Sequence, residues 1–281
     1  MTSGPDDITP EAQSLQRPIA RLLRPLVRLL VRSGITFPMI CELLRELYVN
    51  VAEYDFALPA KEQTDSRVSL LTGIHRKEVR RLRGAGAPVT VVPSGLSRTS
   101  AILACWLGSP RFTDAAGAPL VLPRTAEGEA PSFEALVASV TKDVRPRAVL
   151  DEWLDRKLVA LDGDNGVRLL ETALVPRSGD EQALYYFGRN LHDHIAAATA
   201  NVTSAQAPFL ERAVHYDGLS EDLARKLEGQ SRALAGAALQ SANREAFAAC
   251  QADAGGDWRW SFGVYVYAEP VARPAAQEDE A

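Results

Sequence analysis

The stretch Ser66-Arg-Val-Ser-Leu-Leu-Thr-Gly-Ile-His-Arg-Lys-Glu-Val-Arg-Arg-Leu-Arg83 constrains the fold more than any other part of the chain. Val68, Leu71, Ile74, Val79 and Leu82 fall at spacings that one side of two short helices buries, and Gly73 interrupts them. Glycine enters the left-handed region that a tight turn requires, so the segment reads as helix, turn, helix. His75 stands where the second helix should begin, and His75, Arg76, Lys77, Arg80 and Arg81 are left pointing outward.

Two longer helical patterns precede this segment. From Ile19, apolar residues recur at 19, 22, 23, 26 and 30, while Arg17, Arg21, Arg24, Arg28 and Arg32 form a stripe on another face. Pro25 should kink or restart this helix, because its ring removes a donor and restricts Arg24. Gly34 suits a C-terminal cap and Thr36 an N-terminal one. A second helix then carries Ile40, Leu43, Leu44, Leu47, Val51 and Tyr54, and should pack on the first.

Charge separates these elements from the rest. Arg17 to Arg83 holds thirteen Lys+Arg against seven Asp+Glu, a net of +6, which leaves −11 for the remainder of a chain whose total is −5. Within Ser66 to Arg83 six cations face one anion. A basic module joined to acidic domains points to a polyanionic partner. In a helix-turn-helix the second helix enters the major groove with its outward residues at base edges, and arginine's fork matches guanine O6 and N7. Duplex DNA is therefore the expected partner, with Arg67, His75, Arg76, Lys77, Arg80, Arg81 and Arg83 as the contact set. Arg67 and the arginine stripe would support phosphate contacts. About five such contacts imply a log affinity falling with log salt at a slope near −4 to −5. The bland alternative is a solvated face, since Arg80, Arg81 and Arg83 lie at a helix C-terminus, where cations are favoured without any ligand.

Past a Gly/Pro/Val linker at 84–95, a helix near Ser97 to Leu107 contains Trp106, and Asp114-Ala-Ala-Gly117 marks a hairpin turn between Phe112 and Leu122. Residues 124–131 read as a linker. A helix from Ser132, a break before Pro146, a second helix through Trp153 and a hairpin turn at Asp162-Gly-Asp-Asn-Gly166 follow in the order of a winged-helix core. Ser132 to Leu170 carries six Lys+Arg and seven Asp+Glu, and the presumptive recognition helix holds Asp151, Glu152 and Asp155. This unit suits a structural or protein-contact role, with Lys142, Arg145 and Arg147 as a weaker basic edge.

Helices near 181–199 and 221–250, the latter capped by Ser220 with Glu221 and Asp222 in its first turn, are separated by a strand candidate at 209–216. Trp258, Trp260, Phe262, Val264 and Val266 alternate with Arg259, Ser261, Gly263, Tyr265 and Tyr267, which is strand patterning. This strand should lie beneath the Ala-rich helix and offers either a homodimer interface or a small-molecule pocket.

The fold class expected is mainly α with small β hairpins (α+β): helix-turn-helix and winged-helix units plus a C-terminal α+β domain. Its divisions are a disordered leader (1–16), a helical helix-turn-helix domain (17–95), a winged-helix-like domain (96–176), an α+β interaction or sensing domain (177–270) and an acidic tail (271–281).

Together with Ser132-Phe-Glu-Ala-Leu-Val137, Arg147-Ala-Val-Leu-Asp-Glu-Trp-Leu154 and Phe262-Gly-Val-Tyr-Val-Tyr267, the segment Ser66–Leu82 resembles a family of uncharacterised bacterial proteins known as a domain of unknown function, over most of residues 17–270. That resemblance implies no activity, ligand or catalytic residue. Leu71-Thr-Gly-Ile-His-Arg-Lys-Glu-Val79 is similar to the turn of bacterial repressor helix-turn-helices, where a small polar residue often stands in the place of His75.

Other chemistries find little support. Three cysteines, Cys41, Cys105 and Cys250, without a C-x-x-C, suit neither a disulfide framework nor a thiolate zinc site, and fit a reducing cytoplasm. His192 and His194 would lie about 200° apart on one helix, so no metal is expected there. No phosphate-binding glycine loop or nucleophile elbow is present. No catalytic residue or cofactor is expected, and neither a signal peptide nor an apolar run long enough to span a bilayer is found. The expected function is a cytoplasmic transcriptional regulator, with a protein-interaction adaptor as the alternative.

Overall fold

The computed structural model describes residues 10–59, 61–84, 94–163, 165–170, 181–253 and 255–270. Positions 1–9 of the leader, 85–93 of the first linker, 171–180 around the boundary at 176, and the tail at 271–281 lie outside the described residues. Among the described residues there are nine helices and one two-stranded antiparallel ladder, so the protein is mainly α with a small β component. No helix among them is long and apolar enough to cross a membrane. The chain divides into two compact units, Met1–Val91 and Val92–Ala281.

The first unit contains α1 (Pro10–Arg32), α2 (Phe37–Tyr54), α3 (Asp65–Thr72) and α4 (Arg76–Leu82). Helix α1 begins at Pro10, so positions 10–16 of the expected leader are helical, and it runs on through Pro18 and Pro25, so it does not restart at Pro25. Proline fits a first helical position, where its missing N–H has no intrahelical partner in any case. The arginine stripe is exposed along α1, which contributes no buried residue. The unit's core is made by α2, α3 and α4: Val49, Ala52, Val68, Val79 and Leu82 are buried together, with Ile74 packed against them.

The second unit opens with α5 (Ser94–Gly108), α6 (Phe133–Val140), α7 (Pro146–Asp155), β1 (Val159–Leu161) and β2 (Val167–Leu169). The turn expected after Phe112 forms. The Asp114 carboxylate accepts from the N–H groups of Ala116 and Ala118, and a single bridge joins Thr113 to Pro119. The second hairpin pairs Val159 with Leu169 and Leu161 with Val167, and Leu122 bridges to Val167 from the other side. Three large rings fill the centre. Trp106 stacks on Trp153 with centroids 6.5 Å apart, and Phe133 meets both edge-on. Trp106 Nε1 donates to the Leu120 carbonyl, so its one polar atom is satisfied within the core.

Two long helices complete the unit, α8 (Glu181–Thr203) and α9 (Glu221–Ala252), the latter capped by Ser220 as expected, its hydroxyl accepting from Leu223 N. Helix α9 packs on α5 where Asn243 Nδ2 donates to the Ala104 carbonyl and Phe247 meets Gly108. The strands expected at 209–216 and 258–267 do not form a ladder: neither segment makes a backbone hydrogen bond to another strand among the described residues. Period-two patterning reports which residues share a side, whereas a strand also needs a neighbouring edge.

Candidate nucleic-acid interface

Helices α3 and α4 are joined as the sequence suggests. Thr64 caps α3 by accepting from Arg67 N, and Gly73 ends it in the left-handed region at φ 71°. The Thr72 hydroxyl donates to the Val68 carbonyl and accepts from Ile74 N, which fastens the turn. His75 is the N-cap of α4, its Nδ1 accepting from Lys77 N at 3.3 Å. Val79 and Leu82 then face the core and fix which side of α4 meets solvent.

The seven contact candidates separate into three kinds. His75, Arg76 and Lys77 are exposed at the start of α4, and among the described residues neither Arg76 nor Lys77 makes a side-chain hydrogen bond or ion pair. Arg80 is 84% exposed and touches Asp65 through Nε at 3.3 Å. Such an exposed pair is worth little, so its guanidinium can exchange one partner for another.

Arg81, Arg83 and Arg67 are tied down within the unit. Arg81 pairs with Glu78 and, across to α2, with Glu42. Those bonds raise its pKa above the ordinary arginine value and hold Glu78 below the carboxylate range. Glu42 is lowered by Arg45 and Arg81 together. Arg83, only 25% exposed, is a clip: Nε donates to Glu53 at 2.8 Å, Nη1 to Asp65 at 2.6 Å and Nη2 to the Gln63 carbonyl at 2.6 Å. The Asp65 carboxyl is held below its usual range chiefly by its bond from Arg83. Arg67 donates to Gln63 Oε1 and to the Phe56 carbonyl, and so fastens the loop between α2 and α3.

Sequence reasoning missed the carboxylates of this cluster. The +5 of Ser66–Arg83 falls to +2 once Glu42, Glu53 and Asp65 are included. Asp65 carries a local signal, as the acidic residue after the Thr64 cap, whereas Glu42 and Glu53 lie 39 and 30 residues from their partners and carry none.

The other candidates lie in the second unit. Lys142, Arg145 and Arg147 are exposed around the start of α7, where Arg147 approaches Asp151 at 4.0 Å. Asp151, Glu152 and Asp155 are exposed along the same helix. His192 bonds Asp193 and His194 bonds Glu211, so the two histidines take different partners.

No curated protein and no solved structure matches this chain. A family model described only as a family of unknown function, DUF6502, matches residues 12–253, across both units. The chain belongs to this family of unknown function.

Proposed function

We propose that the first unit binds duplex DNA through α4 and that the protein is a transcriptional regulator. The carrying observation is that Arg76 and Lys77, exposed and unpaired among the described residues, share with the weakly held Arg80 the solvent side of a helix locked to its core by Val79 and Leu82. Read as a helix-turn-helix, α3 and α4 would present α4 to the major groove, with Arg76 at a base edge and Lys77 and Arg80 on phosphates. The internal pairing of Arg67, Arg81 and Arg83 leaves Lys77 and Arg80 as the phosphate contacts of α4, so the salt slope expected of α4 is near −2 instead of −4 to −5. In the second unit, the sequence of α5, the Leu122 bridge, α6, α7 and the β1–β2 hairpin supports a winged-helix reading.

The test is selection and sequencing from a random duplex pool with wild type and Arg76→Ala at two salt concentrations. An enriched motif that Arg76→Ala weakens by about 1–3 kcal/mol, with other sequences unaffected, supports base reading by Arg76. Equal weakening of all sequences makes Arg76 a phosphate contact, and no binding at low salt overturns the proposal.

A protein-interaction adaptor is the second reading, favoured by the exposed Asp151, Glu152 and Asp155 on α7, which would face phosphates badly. Its complexes would survive nuclease treatment of a lysate.

A further inference from the structure

No described side chain in the last third of the chain is fully buried, although Phe247 of α9 packs against the core of the second unit. Over its 32 residues α9 buries no residue, and none of the described side chains of α8 is buried either. Leu223, Leu227, Leu234 and Leu239 are exposed along α9. Helices gain most of their stability by burying an apolar face, and α9 covers part of its own where Asn243 and Phe247 meet α5, leaving its leucines in solvent.

The segments flanking α9 show the same deficit in another form. Residues 207–217 and 258–270 each run without turn or bend, and between 258 and 266 no backbone group hydrogen-bonds to another backbone group among the described residues. Side chains hold both in place. Asn201 brackets Phe209 by accepting from its N–H at 2.7 Å and donating to its carbonyl at 3.1 Å. Arg259 pairs with Asp193 at 2.7 Å, and the Tyr265 ring lies against His194. Both segments are thus pinned by side chains, and the backbone groups of 258–266 stay unpaired with other backbone among the described residues; unpaired edges are templates for pairing with another chain.

We infer that a second copy of this chain covers these segments, and that residues 258–266 pair antiparallel with their own counterparts across a two-fold axis. Centred on Phe262, the pairing sets Trp258 opposite Val266, Trp260 opposite Val264, Arg259 opposite Tyr265 and Ser261 opposite Gly263. All apolar positions then share one side, no like charges meet, and Arg259 faces an aromatic ring. The area is sufficient. Trp258 (98% exposed), Trp260 (64%), Phe209 (61%) and Tyr216 (76%) alone offer about 600 Å² per chain if each ring can bury about 150–250 Å². Two copies reach about 1,200 Å², where specific interfaces begin, before Leu210, Val214 or the α9 leucines are added. The inference is independent of DNA binding.

Sedimentation velocity of the full chain tests it, alongside hydrogen exchange. The expected mass is twice the 30.4 kDa of one chain. Trp260→Glu places a charge on the apolar side, and Val264→Pro fixes φ at about −65°, away from the extended strand value, while keeping the side apolar. Each should raise the dimer dissociation constant at least about 100-fold with helical circular dichroism retained, and wild-type amides at 258–266 should lose protection on dilution. A monomer at all concentrations overturns the inference, as does a dimer indifferent to both variants or one formed only with a different protein. Should either variant misfold, the wild-type exchange decides, and unprotected 258–266 amides in the dimer would refute the pairing.

Discussion

Replacing Arg83 with alanine should destabilise the first unit and leave the chemistry of binding intact, the reverse of what Arg76→Ala should do. Arg83 sends three hydrogen bonds to groups on two different segments: Glu53 at the end of α2, and Gln63 and Asp65 at the start of α3. Hydrogen bonds to charged partners contribute about 1.5–3 kcal/mol each when well buried, but the side chains here are only three-quarters or more covered and the carboxylates regain water once the arginine is gone. A loss of about 2 kcal/mol is therefore expected, a sizeable part of a domain stability of about 5–15 kcal/mol. Arg83→Lys should recover only part of it, because an ammonium cannot span the three acceptors that the guanidinium fork reaches. The tryptophans all lie in the second unit, so fluorescence would not follow this change. Amide exchange resolved to α2, α3 and α4 would, and it should show opening about 30-fold more frequent in Arg83→Ala and unchanged in Arg76→Ala. Unaltered exchange in Arg83→Ala, with a fall in DNA affinity like that of a phosphate contact, would refute the structural role.

The same clip sets a pH response. Asp65 is depressed in the folded state, so its contribution is fully present above the unfolded carboxylate value of about 4 and is lost as pH falls through the lower folded value; exchange in α3 should speed up over that acid range and not between pH 5 and 8. Val79→Ala removes two buried carbons from a core of five buried residues and should cost about 2 kcal/mol, read as a loss of protection across α2 to α4 without any change in charge. Gly108→Ala would bring a methyl group to 2.8 Å from Phe247 Cβ and 3.0 Å from Asn243 Nδ2, pushing α9 from α5; overpacking of about 1–3 kcal/mol should lower the melting midpoint of the second unit by about 2–4 °C per kcal/mol.

Helix boundaries and turns were legible wherever a local rule decided them. Gly73, Ser132 and Ser220 mark helix ends through their own caps, and Asp114 and Asp162–Gly166 mark turns through their own hydrogen bonds. Pro25 does not restart the helix, which continues on both sides of it. Residues 258–267 misled because alternation reports sidedness, while a ladder depends on a neighbouring strand, which the described residues do not supply. The binding face was half legible. Arg76 and Lys77 were visible as outward cations, yet nothing near Arg81 or Arg83 in sequence announces that Glu42 and Glu53 fold back onto them.

The most direct measurement is the salt dependence of binding to a selected duplex by wild type and Lys77→Ala. Binding by α4 predicts a slope near −2 for the wild type, reduced by about one in the variant. Failure to bind any duplex at low salt, or a slope indifferent to Lys77, would contradict it.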